Sequence, residues 1–271
     1  MNSLVIERPA ATPLPQRPPP PWPAGRVHPG LRAGESAPML ADAWFAGLSE
    51  PLHAAILGFA RVREVSAGTL IAQRGDAPSQ WIGVVRGALR LGMGLADGRN
   101  FTLDFVGPGQ WFGDIALIDG RPLDLDVTAH VGSTLLVVSK ADLHRLVDSF
   151  AELGDAFLKL NCQRLRHMLR RVEELHTLPL PQRLAREVQR LLHRFGRAAL
   201  DGTCIDLGLS QADLAAVVGG SRQRVNQTLR QMHCQGIVRL GTARLIVLNT
   251  ARLQAVAEGR LQLADAAPAA A

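Results

Sequence analysis

The hydrophobic pattern of this chain switches between strand-like and helical spacing, and that switch limits the folds open to it. From Val62 to Val138 short apolar runs (Thr69–Ile71, Trp81–Val85, Ala88–Leu91, Phe101–Leu103, Leu135–Val138) are separated by glycine turns. Many short strands at near-regular spacing predict an antiparallel roll, barrel or sandwich. From Ser139 the spacing becomes helical. Leu158, Leu165, Met168, Leu169, Val172 and Leu175 form a narrow apolar seam between charged flanks, with neither glycine nor proline from Asp155 to Leu178. Such a seam fits a helix paired with a copy of itself. A helix packed on its own domain has the same period, so periodicity leaves both readings open. Pro179 and Pro181 end this helix and start another, Gln182–His193.

The ends of the chain have a different character. Residues 1–38 are proline-rich, with Pro18 to Pro21 consecutive, which predicts a flexible arm. The alanine-rich end, Ala266 to Ala271, reads as a tail. From Leu40 to Phe59 the spacing is helical, and Ser49 and Pro51 are placed to start a helix at Glu50.

The net charge of +6 is carried by arginine, since Lys140 and Lys159 are the only lysines. Its distribution matters more than its sum. No acidic residue lies between Asp213 and Glu258, whereas Arg222, Arg224, Arg230, Arg239, Arg244 and Arg252 all do. A basic block in one small domain is the footprint of a polyanion partner. Cys162, Cys204 and Cys234 form no close pair, which points to buried or half-buried free thiols in a reducing compartment. With neither a signal-peptide pattern nor a membrane-spanning apolar run, the expected location is the cytoplasm, without a membrane partner.

The most specific segment is residues 209–248. Ser210 is placed to cap a helix, with Asp213 in the capping-box position and Ala212, Leu214, Ala215, Val217 and Val218 as core contacts. Gly219-Gly220 makes a turn, and Ser221 caps a second helix whose Val225, Leu229 and Met232 face the core. On the opposite face stand Arg222, Gln223, Asn226, Gln227 and Arg230, without a carboxylate. Arginine forks onto guanine, and glutamine or asparagine onto adenine, so Arg222, Gln223, Asn226 and Gln227 are candidate base readers in a major groove. Ile237–Leu240, a turn at Gly241-Thr242-Ala243, and Leu245–Leu248 read as a β-hairpin wing. Candidate phosphate contacts are Ser210, Ser221, Arg224, Arg230, Arg239, Thr242 and Arg244.

Two motifs carry a resemblance: Leu209 to Ala215 followed by Gly219 to Asn226, and the glycine-rich stretch Gly107-Pro108-Gly109-Gln110-Trp111-Phe112-Gly113-Asp114-Ile115-Ala116-Leu117. From about Leu40 to Leu248 the chain resembles the cyclic-AMP receptor protein and fumarate–nitrate regulator family of bacterial transcription factors. The resemblance implies an α+β fold: a jelly-roll-like β-roll, a long dimerisation helix and a winged helix-turn-helix. The implied organisation is an arm at 1–38, a sensor roll at 39–148, the dimerisation helix at 149–178, the DNA-binding domain at 179–250 and a tail at 251–271. It implies a homodimer on pseudo-palindromic double-stranded DNA, working with RNA polymerase. In it, Arg222, Gln223 and Gln227 match base-reading positions, and Ser221 and Arg224 match positions near phosphates.

The resemblance does not extend to cyclic AMP. Nucleotide-binding members use a glutamate for the ribose, and an arginine and a hydroxyl for the cyclic phosphate. Here Gly113, Asp114 and Ile115 begin the cassette, with Asp114 at the glutamate position. Leu123 and Asp124 stand where the arginine and hydroxyl belong, Arg121 lies in the turn, and Met168 and Leu169 occupy the positions that meet adenine. Asp124 beside a cyclic phosphate adds a repulsion of about 4 kcal/mol at ~4 Å for an effective dielectric near ~20. No cofactor is evident and the effector is unknown. An iron–sulfur cluster lacks its cysteines, His130 alone is a poor case for haem, and residues 62–129 lack the histidines of a cupin enzyme. The expectation is a regulator and not an enzyme; the alternative is a nucleotide-binding regulatory module acting on a protein partner.

Overall fold

The computed structural model describes residues 30–31, 37–95, 100–241 and 244–263. Short helices α1 (Ala37–Ala41) and α2 (Ala43–Ala46) lead to α3 (Glu50–Phe59). The helical spacing from Leu40 is divided by caps. Asp42 accepts hydrogen bonds from the Trp44 and Phe45 amides, and Ser49 from the Leu52 amide.

The roll follows: β1 (Arg61–Val65), β2 (Leu70–Ala72), β3 (Gln80–Arg86), β4 (Leu89–Gly94), β5 (Asn100–Val106), β6 (Trp111–Phe112), α4 (Asp114–Asp119), β7 (Asp126–Ala129) and β8 (Ser133–Ser139). Its strands pair antiparallel in two sheets, ordered β1-β8-β3-β6 and β2-β7-β4-β5. Ile82, Val84, Leu89, Val127 and Leu135 pack together between the sheets. Helices cover the outer face of the first sheet, where Trp81 and Trp111 stack at 4.0 Å beside Phe45 and Phe157. Gly83 makes this stack feasible, because a Cβ there would lie 2.7 Å from the Trp111 ring. Buried on both faces, β3 therefore reads as a continuous apolar run. Leu31, expected in the flexible arm, is buried in this helix-side core, while the arm's residues 1–29 and 32–36 lie outside the described residues.

Beyond α5 (Lys140–Ser149), the long helix α6 (Ala151–Thr177) has two faces. Leu153 and Phe157 bury against the roll helices, and Arg171 and Glu174 are buried farther along. Turned away from the chain, Leu158, Leu165, Leu169, Val172 and Leu175 are 44–66% exposed. Met168, assigned to the same seam, is instead half-buried on the inward side.

The C-terminal domain comprises α7 (Leu180–Phe195), β9 (Gly196–Ala199), β10 (Gly202–Ile205), α8 (Gln211–Val218), α9 (Arg222–Cys234), β11 (Val238–Gly241), β12 (Arg244–Val247) and α10 (Thr250–Ala257). The β9–β10 hairpin was not anticipated. It extends the wing into a four-stranded sheet, β11-β12-β10-β9. Nor is residue 251 the start of a tail. Asn249 caps α10, whose Leu253, Val256 and Ala257 are buried in the domain core. Two turns are too few for a clear periodic signal, and docking supplies most of the stability of so short a helix. The core of this domain also takes in Ala88 and Phe105 from the roll, so the two domains share buried surface. Two thiols depart from expectation as well: Cys162 and Cys234 are exposed, while Cys204 is half-buried as expected.

Candidate nucleic-acid interface and effector cavity

Local rules build the helical hairpin. Ser210 Oγ accepts from the Asp213 amide at 3.1 Å, and Asp213 Oδ2 accepts from the Ser210 amide at 2.8 Å, completing the capping box of α8. Gly219 ends α8 at φ 64°, a conformation that favours glycine. Gly220 lies so close to Leu180 that a Cβ would stand 2.9 Å from it. Ser221 Oγ then caps α9 by accepting from the Arg224 amide.

Val225, Leu229 and Met232 anchor α9 in the core, while Arg222, Gln223, Gln227 and Arg230 are exposed. Asn226 departs from the sequence reading: it is half-buried, with Oδ1 enclosed and unpartnered among the described residues. Ala212, expected in the core, is exposed. Ser210, Ser221, Arg224, Arg239 and Arg244 are exposed, and Thr242 lies outside the described residues. The hydroxyl of Ser210 is itself engaged by Asp213, at 2.6 Å.

The wing holds a second departure. Asp201, on the β9–β10 turn, accepts two hydrogen bonds from the Arg239 guanidinium, which hold its carboxyl below the usual range. The stretch without acids in the sequence is therefore not without acids in space. Sequence reasoning missed Asp201 because it lies far upstream of the wing, in a hairpin that showed no signal.

A cavity of about 1120 Å³ opens between the roll, α6, α7 and α10. At its roll end Asp114 is fully buried. It accepts from Arg164 Nη1 at 2.7 and 2.8 Å and from Asn161 Nδ2 at 3.0 Å, while Arg164 Nη2 donates to the Trp111 carbonyl. Gly113 precedes it at φ 97°, where a Cβ would stand 2.6 Å from the Gln80 carbonyl oxygen. Ile115 and Asp124 are exposed, and Leu123 is half-buried with its backbone bonded to Gly75 and Asp76. The Arg121 side chain is 85% exposed, 4.0 Å from Asp119. No cluster of three or more His, Cys, Asp or Glu suited to a metal is found among the described residues.

Next to the cavity, an ionic cluster joins the domains. Asp104 on β5 meets Arg194 on α7 at 2.7 Å and Arg171 on α6 at 3.7 Å. Burial pushes the Asp104 carboxyl up, but the two guanidiniums outweigh it and hold it below the usual range. Arg171 also reaches Glu187 and the Val217 carbonyl of α8, and Arg190 bridges Glu174 and Glu187. Sequence reasoning missed this cluster, because the charges of α6 and α7 look like ordinary helix-surface charges and Asp104 lies on a distant strand. His130 lies at the same junction, its ring 4.8 Å from Phe105, with burial pushing its pKa down.

The arrangement of a roll followed by a capped reading helix and wing has counterparts. A cyclic nucleotide-binding domain model matches residues 62–150, and a Crp-like helix-turn-helix domain model matches residues 182–256. The chain belongs to the cyclic-AMP receptor protein and fumarate–nitrate regulator family of transcription regulators. Within that family it is 23% identical to a CRP-like cAMP-activated global transcriptional regulator of Mycobacterium tuberculosis over 209 residues, 77% of this chain and 93% of the relative. It is 27% identical to the cyclic AMP receptor protein of Thermus thermophilus over 215 residues, 79% and 96% of the two chains. The structure of FixK2 from Bradyrhizobium japonicum aligns with a TM-score of 0.65 at 23% identity, covering 78% of this chain and 99% of that one, a likeness of fold. As a family member, the chain carries a helix-turn-helix of the DNA-binding type, and no helix of the described residues is long and apolar enough to cross a membrane.

Proposed function

We propose that this family member is a homodimeric, sequence-specific DNA-binding regulator that acts in the cytoplasm with RNA polymerase and is not governed by cyclic AMP. The observation that carries the reading is the exposed face of α9, where Arg222, Gln223 and Gln227 stand on a capped, core-anchored helix without a carboxylate. That face favours DNA over a regulatory module acting on a protein partner. The outward apolar stripe of α6 supports self-pairing, because such a stripe is stable in water only when covered. Independence from cyclic AMP is supported by Asp114, already engaged by Arg164 and Asn161, and by the outward-facing Arg121.

Selection of bound sequences from a random DNA pool tests the reading. The expected result is a pseudo-palindrome with half-site centres about 34 Å apart, bound by two copies of the chain. A monomer on one asymmetric half-site overturns it. Calorimetry with cyclic AMP, paired with operator binding by extensively dialysed protein, tests the second half. Micromolar binding of the nucleotide, or DNA binding that needs it, overturns independence.

A further inference from the structure

We propose that the cavity between the roll and α6 takes an uncharged, largely apolar small molecule as its effector. As an effector, the ligand depends on the DNA-regulator reading above; its chemical class does not. Two observations carry the inference.

The first is the accounting of charge on the cavity wall. Among the described residues the wall carries five guanidiniums and seven carboxylates. Each guanidinium already faces a carboxylate of the protein: Arg164 with Asp114, Arg186 and Arg190 with Glu174, Arg194 with Asp104, and solvent-facing Arg121 with Asp119. Asp124 adds a negative charge at the rim with no cation in ion-pair reach among the described residues. An anionic ligand must therefore compete with a carboxylate of the protein for its guanidinium, most severely at Arg164, whose loss leaves the fully buried Asp114 with Asn161 alone, or sit beside Asp124. Both are unfavourable. Burial pushes the His167 pKa down, which disfavours its cationic form as a counter-charge.

The second observation is the apolar floor. Leu91, Leu103, Leu123, Leu125, Val127 and Met168, five from the roll and one from α6, line the cavity beside the charged groups. The total volume of about 1120 Å³ lies slightly above the range of ~300–1,000 Å³ usual for small-molecule sites. An apolar ligand on that floor displaces water without taking a hydrogen bond from the protein. The same cavity is walled by Asp104 and Arg194, the ion pair joining the sensor to the DNA-binding domain, which gives a bound ligand a route to the reader.

Two fluorescent probes of one scaffold test the class: N-phenyl-1-naphthylamine, uncharged, and 1-anilinonaphthalene-8-sulfonate, its anionic counterpart. With dialysed full-length protein, the uncharged probe is expected to bind at least about tenfold more tightly. Leu103→Trp, a half-buried lining position, should abolish its binding by filling the floor. Asp124→Arg, at an exposed position, should narrow the difference between probes mainly by tightening the sulfonate. Circular dichroism and melting of both variants verify that they fold. Equal or tighter binding of the sulfonate, displacement of the uncharged probe by micromolar cyclic AMP, or a signal untouched by Leu103→Trp overturns the proposal. The last outcome would locate the probe on the α6 stripe. Operator affinity measured in parallel should shift at least about threefold on saturation with the uncharged probe. A bound probe that leaves operator affinity unchanged overturns the effector role. Failure of every form to bind DNA sequence-specifically overturns the DNA reading and leaves the ligand class standing.

Discussion

Asp104 on the sensor roll and Arg194 on α7 are joined by two hydrogen bonds, 2.7 and 3.1 Å, across the boundary between the domains. Both side chains are at most one-fifth exposed, and Arg194 also donates to the Phe105 carbonyl at 2.7 Å. Because Phe105 enters the core of the C-terminal domain, charge and apolar packing fasten the sensor to the reader at one place.

Asp104→Ala should therefore destabilise the protein by about 3 kcal/mol, since it leaves the largely buried Arg194 guanidinium without its carboxylate. The pH dependence has a definite sign. The folded-state pKa of Asp104 is lowered, so its stabilisation is complete above the unfolded value of about 4 and is lost as pH falls from there through the folded value. Urea unfolding at neutral pH and near pH ~3 checks this. The gap between wild type and Asp104→Ala should shrink on acidification, and a constant gap contradicts the electrostatic account.

On the reading surface, Arg222→Ala should lose about 1–3 kcal/mol of discrimination at one base position per half-site. Arg244→Ala should weaken all sequences alike and lower the salt slope by about 0.9. Binding across single-base operator variants separates the two, and sequence-blind losses for both would show that Arg222 reads no base.

In the wing, Asp201 occupies the guanidinium of Arg239. Asp201→Asn should free it for phosphate, tightening binding to every sequence several-fold at low salt and raising the salt slope by about 0.9. Arg239→Ala in the wild-type background should change little. Titrations at several salt concentrations decide, and an unchanged slope in Asp201→Asn shows that Arg239 does not reach the backbone.

The dimer reading is testable on α6. Leu169→Glu places like charges at a paired seam and should weaken self-association about a hundredfold, roughly 3 kcal/mol. Exposed Cys162 lies four residues after Leu158 and three before Leu165, on the same stripe, so a parallel pair brings the two thiols face to face. Copper–phenanthroline oxidation should trap a covalent dimer that Cys162→Ser abolishes. A cross-link that survives in Cys162→Ser, or sedimentation as a monomer, contradicts the seam.

Much of this protein is set by rules that act over a few residues and so are written in the sequence. Short apolar runs between glycine turns specify the roll, and Ser210, Asp213, Gly219 and Ser221 cap and turn the helical hairpin. The one-sided distribution of Val225, Leu229 and Met232 against Arg222, Gln223 and Gln227 orients α9 before any tertiary contact is known. Contacts between distant segments decided the rest. Whether Arg239 is free depends on Asp201, 38 residues away in sequence, and whether Asp114 is free depends on Arg164, 50 residues away. Asn226 and Met168 lie at the margins of their helix faces, where a modest rotation on docking determines exposure. The same residue types are solvated surface or buried ion pairs according to which neighbour folding brings beside them. That neighbour is a property of packing, not of local sequence.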